Sequence, residues 1–182
     1  CKALEQAGIP YVLEAGTLLG AVRENRLLPW DTDLDITVAE KDAGKLLKIR
    51  WKLRLKGYRT RVRRYRRDTG PFSKGDIRIV KIQTTRFLLF KDRSLMDIFV
   101  KRRIHDRYYW TVSDTRPVLK SAPQRFYDSQ TRYSFLNHAF RVPEDYIGYL
   151  EYHYGKDWRT PVREWNFRTD DSCVKEELAH GR

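Results

Sequence analysis

The chain has 182 residues, of which 41% are hydrophobic and 13% aromatic, which excludes a disordered chain and allows one domain with a proper core. Lys and Arg number 37 against 24 Asp and Glu, a formal net charge of +13, so we expect an anionic partner: nucleic acid, a nucleotide, a phosphorylated glycan or a membrane surface. No apolar run approaches the ~20 residues that span a bilayer, and two cysteines, Cys1 and Cys173, exclude a zinc knuckle and a disulfide framework.

A strand, a glycine turn and a helix start are predicted near the beginning of the chain. Residues 1–8 are typical of the end of a helix, and residues 11–15 form a short apolar run typical of a buried strand. Gly16 then predicts a turn, and Thr17 predicts the N-cap of a short helix over residues 17–25. The free backbone N–H groups at such a helix start favour the binding of a phosphate.

Alternation of period two begins at residue 33. Apolar residues at 34, 36 and 38 alternate with polar residues that include Asp33 and Asp35, which predicts a strand over residues 33–38. One face of this strand is expected to pack inward, and the opposite face carries both carboxylates. Residues 40–56 return to helical spacing, and Gly57 is expected to end that helix.

The middle of the chain contains a run of arginines. Six arginines lie within residues 59–67 with no acid among them, and a solvated face or a mobile basic loop is the first interpretation. A phosphate-rich acceptor or anionic lipid headgroups are the functional alternatives. A loop is expected next, over residues 68–75. Strands are then predicted over residues 77–82, 86–90, 95–100 and 108–112.

The last third of the chain is predicted to be less regular. We expect a loop-rich stretch over residues 117–123 and an extended run over residues 135–142. A helix is expected over residues 144–154, and a loose polar tail over residues 168–182. The whole pattern predicts a mixed α/β (α+β) fold. It comprises one domain over residues 1–167, with a helical or irregular C-terminal part, followed by the polar tail.

Three carboxylates carry the chemistry. Asp33 and Asp35 share one strand face, and two like charges that close repel unless a cation lies between them. Hard oxygen ligands suit Mg²⁺ or Mn²⁺, which bind through one or two carboxylates together with substrate phosphates. Asp97 lies between Met96 and Ile98 in an apolar strand, where an unpartnered carboxylate would cost several kcal/mol. A metal or a reacting hydroxyl would supply its partner.

Surface acids on an edge strand are the alternative for any single Asp-x-Asp, because the motif is short and common. The context favours a functional site instead. The pair closely follows the strand–Gly–Thr–helix unit, and a third acid in an apolar strand lies downstream.

Two segments together resemble the signature of the LicD family. They are residues 16–23, GTLLGAVR, and residues 29–36, PWDTDLDI. The later residues Val142, Pro143 and Leu150, the segment YGKDW at 154–158, and Pro161 resemble the C-terminal pattern of the same family, which includes phosphocholine transferases and proteins of the fukutin and fukutin-related type. One departure is Thr32, where many members carry another Asp.

The resemblance implies a nucleotidyltransferase-like mixed sheet flanked by helices. It also implies transfer of a phosphate-linked group, such as phosphocholine or ribitol phosphate, from a CDP-activated donor to a glycan acceptor. By match to the family motifs, Asp33 and Asp35 are the Mg²⁺ or Mn²⁺ ligands, and Asp97 is the catalytic base for the acceptor hydroxyl. Gly16 and Thr17 match the turn expected to hold the donor phosphate.

Two further residues, Arg23 and Asp31, are site candidates because of their positions in the sequence. Arg23, on the helix that follows the phosphate turn, is expected to neutralise donor charge, with a solvated helix arginine as the alternative. Asp31 is expected to orient the metal ligands or to act as a turn residue. The four histidines show no metal-ligand spacing, and the tryptophans are expected to pack in the core before they stack on a base or sugar.

Two rival functions stay open. The arginine run with Tyr58 and Tyr65 could hold RNA, which would make the chain a nucleotide-adding enzyme; nucleic acid is the less favoured partner. A basic, non-catalytic binding domain is the other, and an anionic membrane surface is a further partner considered. The compartment is left open between the bacterial cytoplasm and a Golgi or ER lumen reached through an upstream anchor.

Overall fold

The computed structural model describes residues 1–86, 90–113, 116–162 and 164–177, and it shows the mixed α/β fold predicted from the sequence. The helices of the described residues are short. They are α1 (Lys2–Gln6), α2 (Ala15–Glu24), a 3₁₀ turn (Glu40–Asp42), α3 (Ala43–Lys48), α4 (Arg50–Leu55), α5 (Arg125–Asp128) and α6 (Tyr146–Tyr154). Among the described residues, none of these helices has the length and apolar character needed to cross a membrane.

Strands dominate the architecture. They are β1 (Val12–Leu13), β2 (Leu34–Ala39), β3 (Tyr58–Arg64), β4 (Ile77–Arg86), β5 (Phe90–Ile104), β6 (Arg107–Val112), β7 (Val118–Pro123), β8 (Gln130–Phe135), β9 (His138–Pro143) and β10 (Val174–Glu177). Eight of them form one mixed sheet, and β8 and β9 form a separate hairpin.

The long strand β5 organises the sheet. Its first part pairs in parallel with β2 on one side and antiparallel with β4 on the other, and β1 and β3 extend these two sides. Its last residues, Arg102–Ile104, pair with β6, which continues through β7 to β10. The two parts of the sheet therefore share one strand, β5, which pairs with β2 and β4 in one part and with β6 in the other.

Alternation along β2, β4 and β5 fills the core. Ile36, Ile98 and Val80 lie in register across the three strands, and all three are buried. The opposite face of the same strands carries Asp35, Asp97 and Lys81. This division follows from the two-residue period of a strand, and it leaves one apolar face for the core and one polar face for the site.

Three segments differ from the sequence predictions. Part of the arginine run is a regular edge strand, β3, and not a mobile loop. The stretch expected to be loop-rich contains β7, with Pro123 at its end, where a missing N–H does little harm. The strands predicted over residues 86–90 and 95–100 are not separate, because β5 runs continuously from Phe90. Residues 87–89 of the predicted hairpin lie outside the described residues.

The C-terminal segment also differs from the expected loose tail. Asp171 and Cys173 are buried, and Val174–Glu177 pairs with β7 as β10. The predicted extended run over 135–142 is the β8–β9 hairpin, and the helix predicted over 144–154 is confirmed as α6. Cys1 and Cys173 are both free thiols.

A buried ion pair joins the start of α2 to the sheet. Lys101, on β5, donates to Glu14 Oε1 at 2.7 Å and to the Tyr127 hydroxyl at 2.8 Å. The Tyr149 hydroxyl donates to the same Glu14 oxygen at 2.7 Å and accepts from the backbone N–H of Ala15. Both charged side chains are inaccessible to solvent or nearly so. Five side chains and a helix N-terminus therefore depend on one another, since Thr37 also donates to Glu14.

Replacing Lys101 with methionine should destabilise the fold strongly. The variant keeps the length of the side chain but leaves the Glu14 carboxylate buried without its cation, which costs about 3–5 kcal/mol in comparable cases. Urea denaturation measures the change. Lys74→Met removes an exposed lysine side chain and should change stability by less than about 0.5 kcal/mol. Equal losses in the two variants would contradict the role given to the Glu14–Lys101 pair.

Candidate active site

Parallel pairing of β2 and β5 brings two acids together. Asp35 lies opposite Asp97 in register, although the chain places them far apart. Asp33 lies in a bend just before β2 begins, close enough to Asp35 for its charge to act on that carboxylate. The predicted strand is therefore confirmed, but it begins one residue later than predicted, so only Asp35 of the two acids lies within it.

The carboxylates raise one another's pKa. Burial, and next to it the negative charges of Asp33 and Asp97, raise the pKa of Asp35 to about 8. Burial also raises the pKa of Asp97, although a hydrogen bond and ion pair from Lys81 act in the opposite direction. The second carboxylate oxygen of Asp97, Oδ1, is buried without a hydrogen-bond partner. Such a set of oxygens suits a divalent cation or a donated hydroxyl proton.

Asp31 belongs to the same acidic cluster. Its Oδ2 is buried without a hydrogen-bond partner, and burial together with the charge of Asp33 raises its pKa. The carboxylate lies over Gly16, where an added Cβ would come within 2.5 Å of Oδ2. Glycine at this position therefore permits the loop after α2 to lie against the helix start.

The predicted cap at Thr17 is wrong. Helix α2 begins at Ala15, with Glu14 in the N-cap position, so Gly16 and Thr17 lie in its first turn and not in a glycine turn before it. The Thr17 hydroxyl is buried and accepts a hydrogen bond from the backbone N–H of Asp35 at 2.8 Å. Thr17 thus fixes α2 against β2, beside the acids; its role toward a donor phosphate stays a prediction.

Arg23 is not a solvated helix arginine. Only 9% of its side chain is exposed, and its guanidinium donates to Glu24 at 2.8 Å and to the Trp158 carbonyl at 3.4 Å. It shares a cavity of about 1000 Å³ with Gly16 and Asp35. The side chain is therefore held at the wall of the cavity by Glu24 and the Trp158 carbonyl.

The cavity is lined by both aromatic and charged side chains. The aromatic side chains at its lining are Trp30, Phe99, Trp110, Tyr154, Trp158, Trp165 and Phe167. Asp35 opens into it, whereas Asp33 and Asp97 lie outside its lining. The structure therefore assembles Gly16, Arg23 and Asp35 around one space and places Asp97 next to it on the sheet. Trp30 is 64% exposed and is not a core residue as first expected.

Sequence reasoning missed a second polar cluster at this cavity. His153, Asp171 and Cys173 are buried, with ligand-type atoms that all lie within 4.8 Å of one another. Lys120 donates to Asp171 at 2.6 Å. Burial raises the pKa of Asp171, but the His153 hydrogen bond and the charges of His153 and Lys120 outweigh it and bring the pKa below its ordinary value. The ion pair with Lys120 already satisfies this carboxylate, so the cluster is best described as a structural ion-pair network.

The acids Asp33, Asp35 and Asp97 are arranged more openly. Within the described residues, they do not form a group of three whose ligand atoms all lie within 4.8 Å. One or two carboxylates together with substrate phosphate oxygens is the ligand set that Mg²⁺ commonly takes.

Sequence reasoning also missed the buried pair of Glu14 and Lys101. Each is a charged residue beside an apolar strand segment, as Asp97 is, so the sequence contained a signal for both.

Comparison with known proteins places the chain in a family. The model of the LicD/FKTN/FKRP nucleotidyltransferase domain matches residues 8–145, more than half of the chain. The chain belongs to this LicD family. The matched region contains the start of α2, the acidic strand β2 and the whole of β5, so the resemblance seen in residues 16–23 and 29–36 is confirmed.

Two human proteins are similar to the chain. Ribitol-5-phosphate transferase FKTN of Homo sapiens is 26% identical over 179 residues, which cover 96% of this chain and 34% of that protein. Ribitol 5-phosphate transferase FKRP of Homo sapiens is 45% identical over 47 residues, 26% of this chain and 10% of that protein. The chain thus spans about a third of the length of the FKTN relatives.

Among solved structures, the crystal structure of ANT(2")-Ia in complex with adenylyl-2"-tobramycin is similar. It aligns with a TM-score of 0.44 and 15% sequence identity, over 91% of this chain and 76% of that chain.

Replacing Asp35 with asparagine should stabilise the protein in EDTA, and more so at higher pH. The unfolded carboxyl loses its proton near pH 4, whereas in the folded chain the pKa is about 8. The folded wild type therefore loses stability as the pH rises from about 4 to 8, and the variant escapes this loss. Each kcal/mol regained should raise Tm by about 2–4 °C.

Thermal unfolding at several pH values measures this difference. Asp106→Asn serves as the control because Asp106 is exposed, so its Tm difference from wild type should stay near zero from pH 5 to 8. A gain for Asp35→Asn that does not grow with pH, or a loss at pH 8, would show that burial and the neighbouring acids do not raise the pKa of Asp35 as described.

Proposed function

We propose that this LicD-family chain catalyses the transfer of a phosphate-linked group from a CDP-activated donor to a hydroxyl group of a glycan. Phosphocholine and ribitol phosphate are the groups first considered. Family membership supports the reaction class, and the names of the FKTN and FKRP relatives support a ribitol phosphate in particular. The observation that carries the proposal is the pair of registered acids, Asp35 and Asp97, beside a cavity large enough for a nucleotide-linked donor.

Asp33 and Asp35 are the proposed ligands of a Mg²⁺ or Mn²⁺ ion. Their fit to a cation is supported by the raised pKa of Asp35 and by the unpartnered oxygen of the neighbouring Asp31. When bound, such an ion would neutralise the charge that develops on the donor diphosphate as the bond breaks. Asp31 lies against Gly16 and would help to orient the ligands.

Asp97 is the proposed base for the acceptor hydroxyl. Its Oδ1 has no partner among the described residues and is available to accept the hydroxyl proton, while Lys81 holds Oδ2. Proton acceptance by a positioned carboxylate typically contributes a factor of about 10²–10⁴ to the rate. Gly16 and Arg23 line the cavity and are the proposed ligands of the donor phosphates. Thr17 is buried outside the cavity lining, so its proposed contribution is to hold the first turn of α2 against β2.

A nucleotide-adding enzyme that holds RNA receives no support from the aromatic residues that suggested it. Tyr65 is buried and stacks on Phe72 with ring centroids 4.5 Å apart, and Tyr58 packs partly buried against the core. A purely binding role is opposed by the presence of all three acids around one site. We therefore retain glycan modification by a transferase as the proposal.

A thermal-shift screen tests the donor. Wild-type protein is mixed with CDP-choline, CDP-ribitol, CDP-glycerol, GDP-mannose or a nucleoside triphosphate, each with and without Mn²⁺. We expect one or more CDP-linked donors to raise Tm, and the increase to require Mn²⁺. At a ligand concentration 100 times Kd the stabilisation is about 2.7 kcal/mol, which is readily measured. Stabilisation by nucleoside triphosphates alone would favour the nucleotide-adding alternative.

Asp33→Asn tests the metal ligand. With the donor found in the screen and Mn²⁺ present, turnover should fall to background, because an amide holds the cation far less well than a carboxylate. The Tm of the variant in EDTA should not fall below that of wild type, because the charge of Asp33 acts unfavourably on Asp35 in the folded protein. Asp106→Asn, which removes an exposed acid, should retain full turnover. Full turnover in Asp33→Asn would remove Asp33 from the proposed metal site.

A further inference from the structure

A row of charged side chains crosses the sheet from the active site to its edge. Asp35 is in register with Asp97, Asp97 with Lys81, and Lys81 with Arg61. Side chains in register on neighbouring strands lie on the same face. We call these four residues the charged row. It runs from acids that are buried or half-buried to an arginine that is exposed on the edge strand β3.

Arg59 adds a second cation at the exposed end. It lies two residues before Arg61 on β3, so both point to the face of the charged row. Both side chains are exposed, and within the described part of the chain neither donates a hydrogen bond or forms an ion pair. Two adjacent guanidinium groups without an acid repel each other, and an anion bound between them would remove that cost.

We propose that Arg59 and Arg61 bind a phosphate group carried by the acceptor saccharide. This inference rests on the proposed transfer reaction. Arg61 is two strands away from Asp97, about 10 Å at the usual spacing of strands. If Asp97 binds a hydroxyl group of the saccharide, a phosphate about two strand spacings from that hydroxyl would therefore reach the arginines. The planar fork of arginine matches phosphate oxygens with two parallel hydrogen bonds.

Two simpler roles for the arginines account for less of the arrangement. Charged residues on an edge strand prevent edge-to-edge aggregation, but that purpose does not require arginines in register with catalytic acids. Single-stranded RNA is usually held on exposed aromatic platforms, and Tyr65 is buried. The experiment below therefore distinguishes phosphate binding from these two alternatives, protection of the sheet edge and binding of RNA.

Fluorescence anisotropy provides the test. The full chain is titrated into labelled maltotriose that carries one phosphomonoester, and into the same maltotriose without phosphate. The phosphorylated probe should bind more tightly, and Arg59→Gln/Arg61→Gln should weaken its binding by about tenfold, as the loss of charge-assisted hydrogen bonds implies. The plain probe should bind equally weakly to both proteins.

The matched control is Arg66→Gln/Arg125→Gln. It removes the same net charge from two exposed arginines outside the charged row, and it should retain wild-type affinity for the phosphorylated probe. Equal weakening in the two double variants would reduce the effect to net charge and overturn the proposal. Tighter binding of phosphatidylserine-containing vesicles or of a uridine oligomer than of the phosphorylated saccharide would also overturn it.

Folding and donor binding are followed separately. If the glutamine variant aggregates, Arg59→Lys/Arg61→Lys keeps the edge charge, and its affinity should still fall because lysine lacks the planar fork; wild-type affinity would contradict the proposal. The probe titration needs no donor. Failure of every CDP-linked donor to stabilise the wild type would therefore count against the proposed reaction, and failure of the phosphorylated probe to bind would count against the arginine site.

Discussion

The buried pair of Glu14 and Lys101 determines where the site can form. Burial raises the pKa of Glu14, but the charge of Lys101 and hydrogen bonds from it and from Thr37 outweigh this, so the pKa stays below its ordinary value. The ammonium also lies 3.4 Å above the ring of Trp110, at the cavity wall. One ionised pair thus fixes the start of α2, the C-terminal part of β5 and α6 relative to one another. A break in it would release three elements that contribute residues to the cavity lining.

The acids become a site only because β2 and β5 are parallel neighbours. Alternation in each segment determines which face an aspartate takes, and this is visible in the sequence. The register that sets Asp35 opposite Asp97 is a long-range property, since β5 is reached only after α3, α4 and the β3–β4 hairpin. Local patterns could therefore identify three candidate carboxylates, and the motifs at residues 16–23 and 29–36 could identify the family. Neither could show that Asp35 and Asp97 lie opposite each other on neighbouring strands.

The errors of the sequence interpretation have related causes. Thr17 before an apolar helical face is typical of an N-cap, yet its hydroxyl bonds to β2 instead, and that partner is not local. The arginines of β3 alternate with Thr60 and Val62, a period-two signal that the density of charge obscured. Asp171 lies in a polar segment, and its buried partners Lys120 and His153 explain why it is enclosed. For Thr17 and Asp171 a tertiary partner outweighed the local propensity, whereas the local pattern of β3 itself agrees with the strand.

The chain carries a net charge of +13, yet acids are grouped on the inner strands β2 and β5 of the sheet. The basic side chains of the same face lie toward the edge strand β3. Acids that are to hold a cation are best kept away from competing ammonium and guanidinium groups, because a close cation would already neutralise them. Lys81 is in contact with only one oxygen of Asp97, and the free arginines lie farther out along the same face. The side-chain charge therefore changes from negative at Asp35 on β2 to positive at Arg61 on β3, three strand spacings away. An anionic substrate with a neutral reacting hydroxyl is the kind of molecule that such an arrangement orients in a single direction.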